Sequence, residues 1–102
     1  METQENIFEI ADKSGRKIRL TKKQWKHIVR RHPQVSSEKE KIIETLENFD
    51  KITSPNQLDP NKRFYYKFYK KLPSPYNFFR VIVKYLNGDG FVITAQFVSK
   101  IK

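Results

Sequence analysis

Cysteine is absent from this chain, which excludes disulfide bridges, thiolate nucleophiles and the usual cysteine-bearing zinc sites. A reducing, cytoplasmic setting fits that absence. No window approaches the roughly 20 consecutive apolar residues that a membrane span requires, and residues 1–10 hold no basic start followed by an apolar run. Neither a membrane partner nor a secretory leader is therefore expected. Acidic residues are scarce beside basic ones, and neither repeats nor low-complexity stretches occur.

What is present is positive charge and aromatic surface. The 21 Lys and Arg against 11 Asp and Glu leave a formal net charge of +10. Self-repulsion of that size opposes folding, and a polyanionic partner, nucleic acid first among them, accounts for its retention. Solubility or an acidic protein partner is the alternative. Hydrophobic residues at 37% and aromatics at 14% suffice for one modest core over residues 1–102.

Along the chain, Ile7 to Ala11 and Lys17 to Leu20 flank the turn-rich Asp12-Lys13-Ser14-Gly15, which predicts a β-hairpin. Thr21 is the expected N-cap of a first helix, with Gln24 completing a capping box, and Trp25, Ile28, Val29 and His32 form its apolar stripe until Pro33 stops it. Ser36 or Ser37 is expected to open a second helix running to about Phe49, with Glu38 and Glu40 in its first turn. A small edge strand around Ile52 and a loop to Asn61 follow. Three strands then occupy Lys62 to Leu72, Asn77 to Leu86 and Phe91 to Ile101, the last two joined at Asn87-Gly88-Asp89-Gly90. The fold class is α+β, with two helices on one face of a mostly antiparallel sheet.

Alternation divides each late strand between two faces. Phe64, Tyr66 and Phe68, then Phe79, Val81, Val83 and Tyr85, then Phe91, Ile93, Ala95 and Phe97 are the expected helix-covered set. The opposite set is Arg63, Tyr65, Lys67 and Tyr69, then Phe78, Arg80, Ile82 and Lys84, then Val92, Thr94, Gln96 and Val98. Cations interleaved with rings suit RNA, where phosphates meet the cations and unpaired bases stack on the rings. A merely solvated sheet face has a similar make-up.

Both histidines fall at one helix end, in Trp25-Lys26-His27-Ile28-Val29-Arg30-Arg31-His32-Pro33. His27 shares a helical surface with Arg30 and Arg31. Metal-independent RNA cleavage needs a base for the 2′-hydroxyl, an acid for the leaving 5′-oxygen and cations for the phosphorane; histidine, arginine and lysine supply these. His32 before Pro33 equally suits a helix C-cap with its ring in the core, and His27 an exposed surface position; Arg30 and Arg31 equally suit compensation of the helix dipole.

Leu20-Thr21 through Trp25, His27-Ile28, Arg31-His32-Pro33, Ile52, Arg63 to Tyr66, Val81 to Lys84 and Val92 to Ala95 together resemble the phage-type members of the barnase-EndoU-colicin-RelE-like nuclease superfamily. The spaced run LTxxxWxHIxxRHP is its most specific part, and the likeness covers about Ile7 to Lys102. The resemblance implies a single nuclease domain over 1–102, with two N-terminal helices packed on a curved four- or five-stranded sheet. It also implies RNA in the groove and transesterification to a 2′,3′-cyclic phosphate without metal or cofactor. Toxins and effectors of phage and mobile elements, often acting on tRNA, are its typical members. Carried across, the helix histidine is His27 or His32, the strand cations are Arg63 and Lys84, and the last-strand hydroxyl is Thr94. Gln34 departs from the acid expected after the His-Pro pair.

The leading expectation is therefore an endoribonuclease with His27, His32, Arg63, Lys84 and Thr94 as catalytic candidates. Arg30, Arg31, Tyr65, Lys67, Arg80 and Gln96 are the RNA-binding candidates. A non-catalytic RNA- or DNA-binding module is the second class. A protein-interaction module is the third, docking an acidic antitoxin or immunity protein.

Overall fold

Asn87 and Gly88 both take positive φ, 54° and 88°, as a two-residue type I′ hairpin turn demands. That turn ties β5 (Phe78–Leu86) to β6 (Asp89–Val98), the longest pairing in the molecule. The computed structural model describes residues 5–55 and 58–101. The expected polar start at 1–4 and part of the expected loop, at 56 and 57, lie outside the described residues.

The remaining elements are β1 (Asn6–Ala11), β2 (Lys17–Thr21), α1 (Lys22–Arg31), a 3-10 turn (Pro33–Val35), α2 (Lys39–Glu47), β3 (Lys51–Thr53) and β4 (Lys62–Phe68). The fold is α+β, with one six-stranded sheet in the order β1-β2-β6-β5-β4-β3. All neighbours are antiparallel except β2 and β6. The expected four or five strands become six because the N-terminal hairpin joins the same sheet through a two-residue parallel contact, Ile18 with Gly90 and Arg19 with Phe91. Gly90 permits it: a Cβ there would stand 2.9 Å from Tyr85 Cε1 and Val83 Cγ1, and 3.2 Å from Ile18 Cγ1.

Thr21 caps α1 as expected, its Oγ1 accepting from the Gln24 N–H at 3.1 Å. The other half of the capping box is not made: the Gln24 amide donates instead to the Ile93 carbonyl at 2.5 Å. His32 is the C-cap, its N–H closing onto the Ile28 carbonyl at 2.8 Å. The second helix starts later than Ser36 or Ser37 and ends at Glu47. Val35, fully buried, anchors the intervening 3-10 turn, so Ser36 and Ser37 lie in turns and Glu38 becomes the N-cap.

One core cluster joins Ile28, Val35, Ile42 and Leu46 to Ile18, Leu20, Tyr65, Phe79, Val81, Val83, Tyr85, Val92 and Ala95. The strand members share one face by register, since paired residues point the same way. That face is called the core face below, and its reverse the outer face.

The candidate nucleic-acid interface

Register corrects the expected division of β4. Arg63 pairs with Val83, Tyr65 with Val81 and Lys67 with Phe79, so these three lie on the core face. Phe64, Tyr66 and Phe68 pair with Ile82, Arg80 and Phe78 and belong to the outer face. The physical reason lies in the tyrosines. Tyr65 fills the core beside Phe49, and its hydroxyl meets that of Tyr85 at 2.6 Å. Arg63 and Lys67 lie toward the sheet margin, where long side chains reach polar atoms. Arg63 Nη1 donates to the Ser54 hydroxyl and to the Pro60 and Lys62 carbonyls, and Lys67 Nζ to the Asn48 carbonyl at 3.3 Å.

A second correction concerns β6. The register shifts where Ile82 pairs with Thr94 but Val83 with Val92, leaving Ile93 as the extra residue of a bulge. Val92 therefore enters the core, and Phe91 turns to the outer face opposite Lys84. The bulge explains the errant Gln24 amide, which takes the Ile93 carbonyl where α1 leaves the sheet.

The outer face is a ladder of four rungs. Phe68, Phe78 and Val98 make the first; Lys51, Tyr66, Arg80 and Gln96 the second; Thr53, Phe64, Ile82 and Thr94 the third; Lys62, Lys84, Phe91 and Arg19 the fourth. None of these residues belongs to the core cluster. Tyr66 is nonetheless buried, while most of the others are half-buried and Phe68 is 48% exposed.

The cations on these rungs differ in partnership. Lys84 Nζ is paired with Asp59 at 2.9 Å, and that hydrogen bond holds the Asp59 carboxyl below its ordinary value. Arg19 bridges Glu9 and Asp89, at 2.5 and 3.1 Å. Arg80 is in no ion pair among the described residues; its guanidinium lies 5.5 Å from the Phe64 ring centroid, and its Nε is buried without a hydrogen-bond partner among them. A buried guanidinium nitrogen left unpaired is costly, and an anion is its natural complement.

His32, the cap of α1, feels the charge of Arg80. Burial first, then the positive charges of Arg31, Arg80 and His27, hold its imidazole below the ordinary histidine value. The expected site residues thus sort into three groups. Arg80, Gln96, Thr94 and Lys84 share the outer face, whereas His27, Arg31 and His32 belong to α1 and its cap, and the charges of Arg31, Arg80 and His27 are all felt at His32. Arg63, Tyr65 and Lys67 lie on the opposite side, so the expected trio Arg63, Lys84 and Thr94 does not converge. Arg30 is exposed in the last turn of α1.

No family model, curated protein or solved structure matches this chain.

Sequence reasoning missed Lys51 and a cleft lined by Arg19, Lys23, Gln24 and Phe91, where β2 parts from β6. No local signal marked either, because both depend on pairings between distant strands. Among the described residues no three His, Asp or Glu side chains are grouped to hold a metal ion, and no helix is long and apolar enough to cross a membrane, which says nothing of a β-barrel.

Proposed function

We propose that this protein is a cytoplasmic endoribonuclease that binds RNA across the outer face of its sheet and cleaves it by transesterification, as expected of the nuclease superfamily that its sequence resembles. The observation that carries the reading is Arg80, a buried and unpaired guanidinium nitrogen among further positive charge. Phosphate bound there meets the guanidinium directly, with the Gln96 amide beside it on the same rung and the Thr94 hydroxyl one rung away.

His32 has the character of a general base, because its lowered pKa keeps the imidazole neutral near pH 7. It takes the proton of the 2′-hydroxyl as the 2′-oxygen bonds to phosphorus. The bond from phosphorus to the 5′-oxygen then breaks, and that oxygen takes a proton, for which exposed His27 is the candidate donor. Arg80 stabilises the charge of the phosphorane, while Lys84, two rungs along, meets a neighbouring phosphate by exchanging Asp59 for it. The products are a 2′,3′-cyclic phosphate and a 5′-hydroxyl. Transfer RNA is the first substrate to test, and an acidic antitoxin or immunity protein is the corresponding protein partner.

A second reading, a binding module without catalysis, is favoured by the turn of Arg63 to the core face, which removes one expected catalytic cation. Incubation with total tRNA in EDTA between pH 5 and 9 separates the two. Cleavage with cyclic-phosphate ends, lost in His32→Ala and Arg80→Ala, supports the nuclease. Intact RNA at high protein concentration, with binding preserved in His32→Ala and lost in Arg80→Ala, supports the module.

A further inference from the structure

We infer that the outer face selects single-stranded RNA, by stacking an unpaired base on the Phe68–Phe78 rung while the adjoining phosphate sits on the Arg80 rung. The inference rests on the nucleic-acid reading above and specifies the class of RNA. Phe68 and Phe78 face each other across β4 and β5, their ring centroids 5.9 Å apart at an interplanar angle of 63°. Phe78 also meets the Tyr66 ring edge-on at 6.4 Å. The result is a ring surface held by neighbouring rings, in which Phe68 is 48% exposed and Phe78 half-buried. A lone exposed phenylalanine needs no explanation, but a braced pair bordering Arg80, whose Nε has no hydrogen-bond partner among the described residues, is an amphipathic surface of the kind that bases occupy.

Charge argues for nucleic acid over an apolar protein partner. The acids of the outer face gather at the far end, where Asp59 is paired with Lys84, and Glu9 and Asp89 with Arg19. The rung next to the phenylalanines carries Lys51 and Arg80, neither in an ion pair among the described residues. The Asp50 carboxylate accepts from the Phe68 N–H at 2.8 Å.

Spacing argues for an unstacked strand. Successive rungs lie two residues apart, roughly 6.8 Å. Bases in a duplex rise about 3.4 Å per step and turn their edges, not their faces, outward. A ring surface of this kind therefore engages a base only when it is splayed from its neighbours.

The test is equilibrium binding of the full chain to a short 2′-O-methyl oligonucleotide, which cannot form the cyclic phosphate, so that binding and cleavage fail separately. Electrostatics alone favours the duplex, whose charge density is higher. The inference predicts the reverse, with the single strand bound at least about tenfold more tightly. Phe68→Leu/Phe78→Leu is expected to lose about tenfold toward the single strand and nothing toward an abasic strand of equal length. Phe68→Trp is expected to retain binding. Phe68→Leu alone, at a half-exposed position, serves if the double variant does not fold. Equal affinity for single strand and duplex, undiminished binding by the leucine variants, or an equal loss on the abasic strand overturns the inference. Intact single-strand selectivity with no cleavage of natural RNA overturns the nuclease reading alone.

Discussion

Asp59 holds Lys84 by a 2.9 Å ion pair, so the strand lysine expected to meet phosphate is already neutralised in the free protein. Both side chains are partly exposed, and a pair of that kind contributes little to stability. Asp59→Asn is therefore expected to leave the thermal midpoint nearly unchanged while freeing one cation for RNA. Affinity for RNA should rise, and Lys84→Ala should flatten the slope of log affinity against log salt by about 0.7 for a single strand. An unchanged slope in Lys84→Ala places Lys84 outside the interface.

The lowered pKa of His32 has two consequences of known sign. For cleavage, the acid limb of the pH–rate profile should fall below the ordinary histidine value of about 6.5. Arg80→Gln removes one of the charges that depress it and should move the residual limb upward. For stability, the unfolded chain binds more protons at this site than the folded one, so His32 lowers stability as pH falls through the unfolded value. His32→Gln should therefore flatten the decline of the urea midpoint between pH 7 and 5. A wild-type decline retained in full by the variant contradicts this assignment.

On the core face, Tyr65, Tyr85 and Asp12 form a chain of hydrogen bonds: the two hydroxyls at 2.6 Å, and the Tyr85 hydroxyl donating to Asp12 Oδ2 at 2.9 Å. Burial raises the Asp12 carboxyl, but donation from Ser14, Tyr85 and the Arg16 backbone outweighs it and leaves the group below its ordinary value. Tyr85→Phe breaks both links, with an expected loss of about 1–3 kcal/mol in denaturant unfolding. Because a lowered carboxyl stabilises the fold above its unfolded value and ceases to do so as pH falls through the folded one, the variant should also lose less stability on acidification.

Gly90→Ala tests how the N-terminal hairpin joins the sheet. The added methyl would press on Tyr85, Val83 and Ile18, and a cost of about 1–3 kcal/mol is expected in unfolding measurements. Val92→Ala, one rung along in the same core, should cost a similar amount through a cavity. A neutral Gly90→Ala would show that β2 and β6 are not closely joined.

The fold class, the α1 cap at Thr21, the stop at Pro33 and the Asn87-Gly88 turn were legible in the sequence, because each rests on local chemistry. The faces of β4 were not. Arg63-Phe64-Tyr65-Tyr66 offers an aromatic to either side, and both tyrosines are buried, so alternation alone cannot choose. The choice falls to Tyr85, which gives the Tyr65 hydroxyl a partner across the sheet. The Ile93 bulge is equally silent, since an unbroken apolar run from Phe91 to Ile93 carries no mark of where parity changes. Of the site, Arg80, Gln96, Thr94 and Lys84 were assigned to a common face, as they are, whereas Arg63, Tyr65 and Lys67 were assigned to the wrong one.

The central claim is that phosphate binds on the outer face at Arg80, whose charge reaches His32. Titrating the labelled protein with inorganic phosphate, then with a 2′-O-methyl oligonucleotide, while following the Arg80 Nε–H and His32 ring resonances by NMR tests it most directly. The account predicts that these two signals move together, with the Arg63 signal still. Movement at Arg63 while Arg80 and His32 remain unchanged would contradict it.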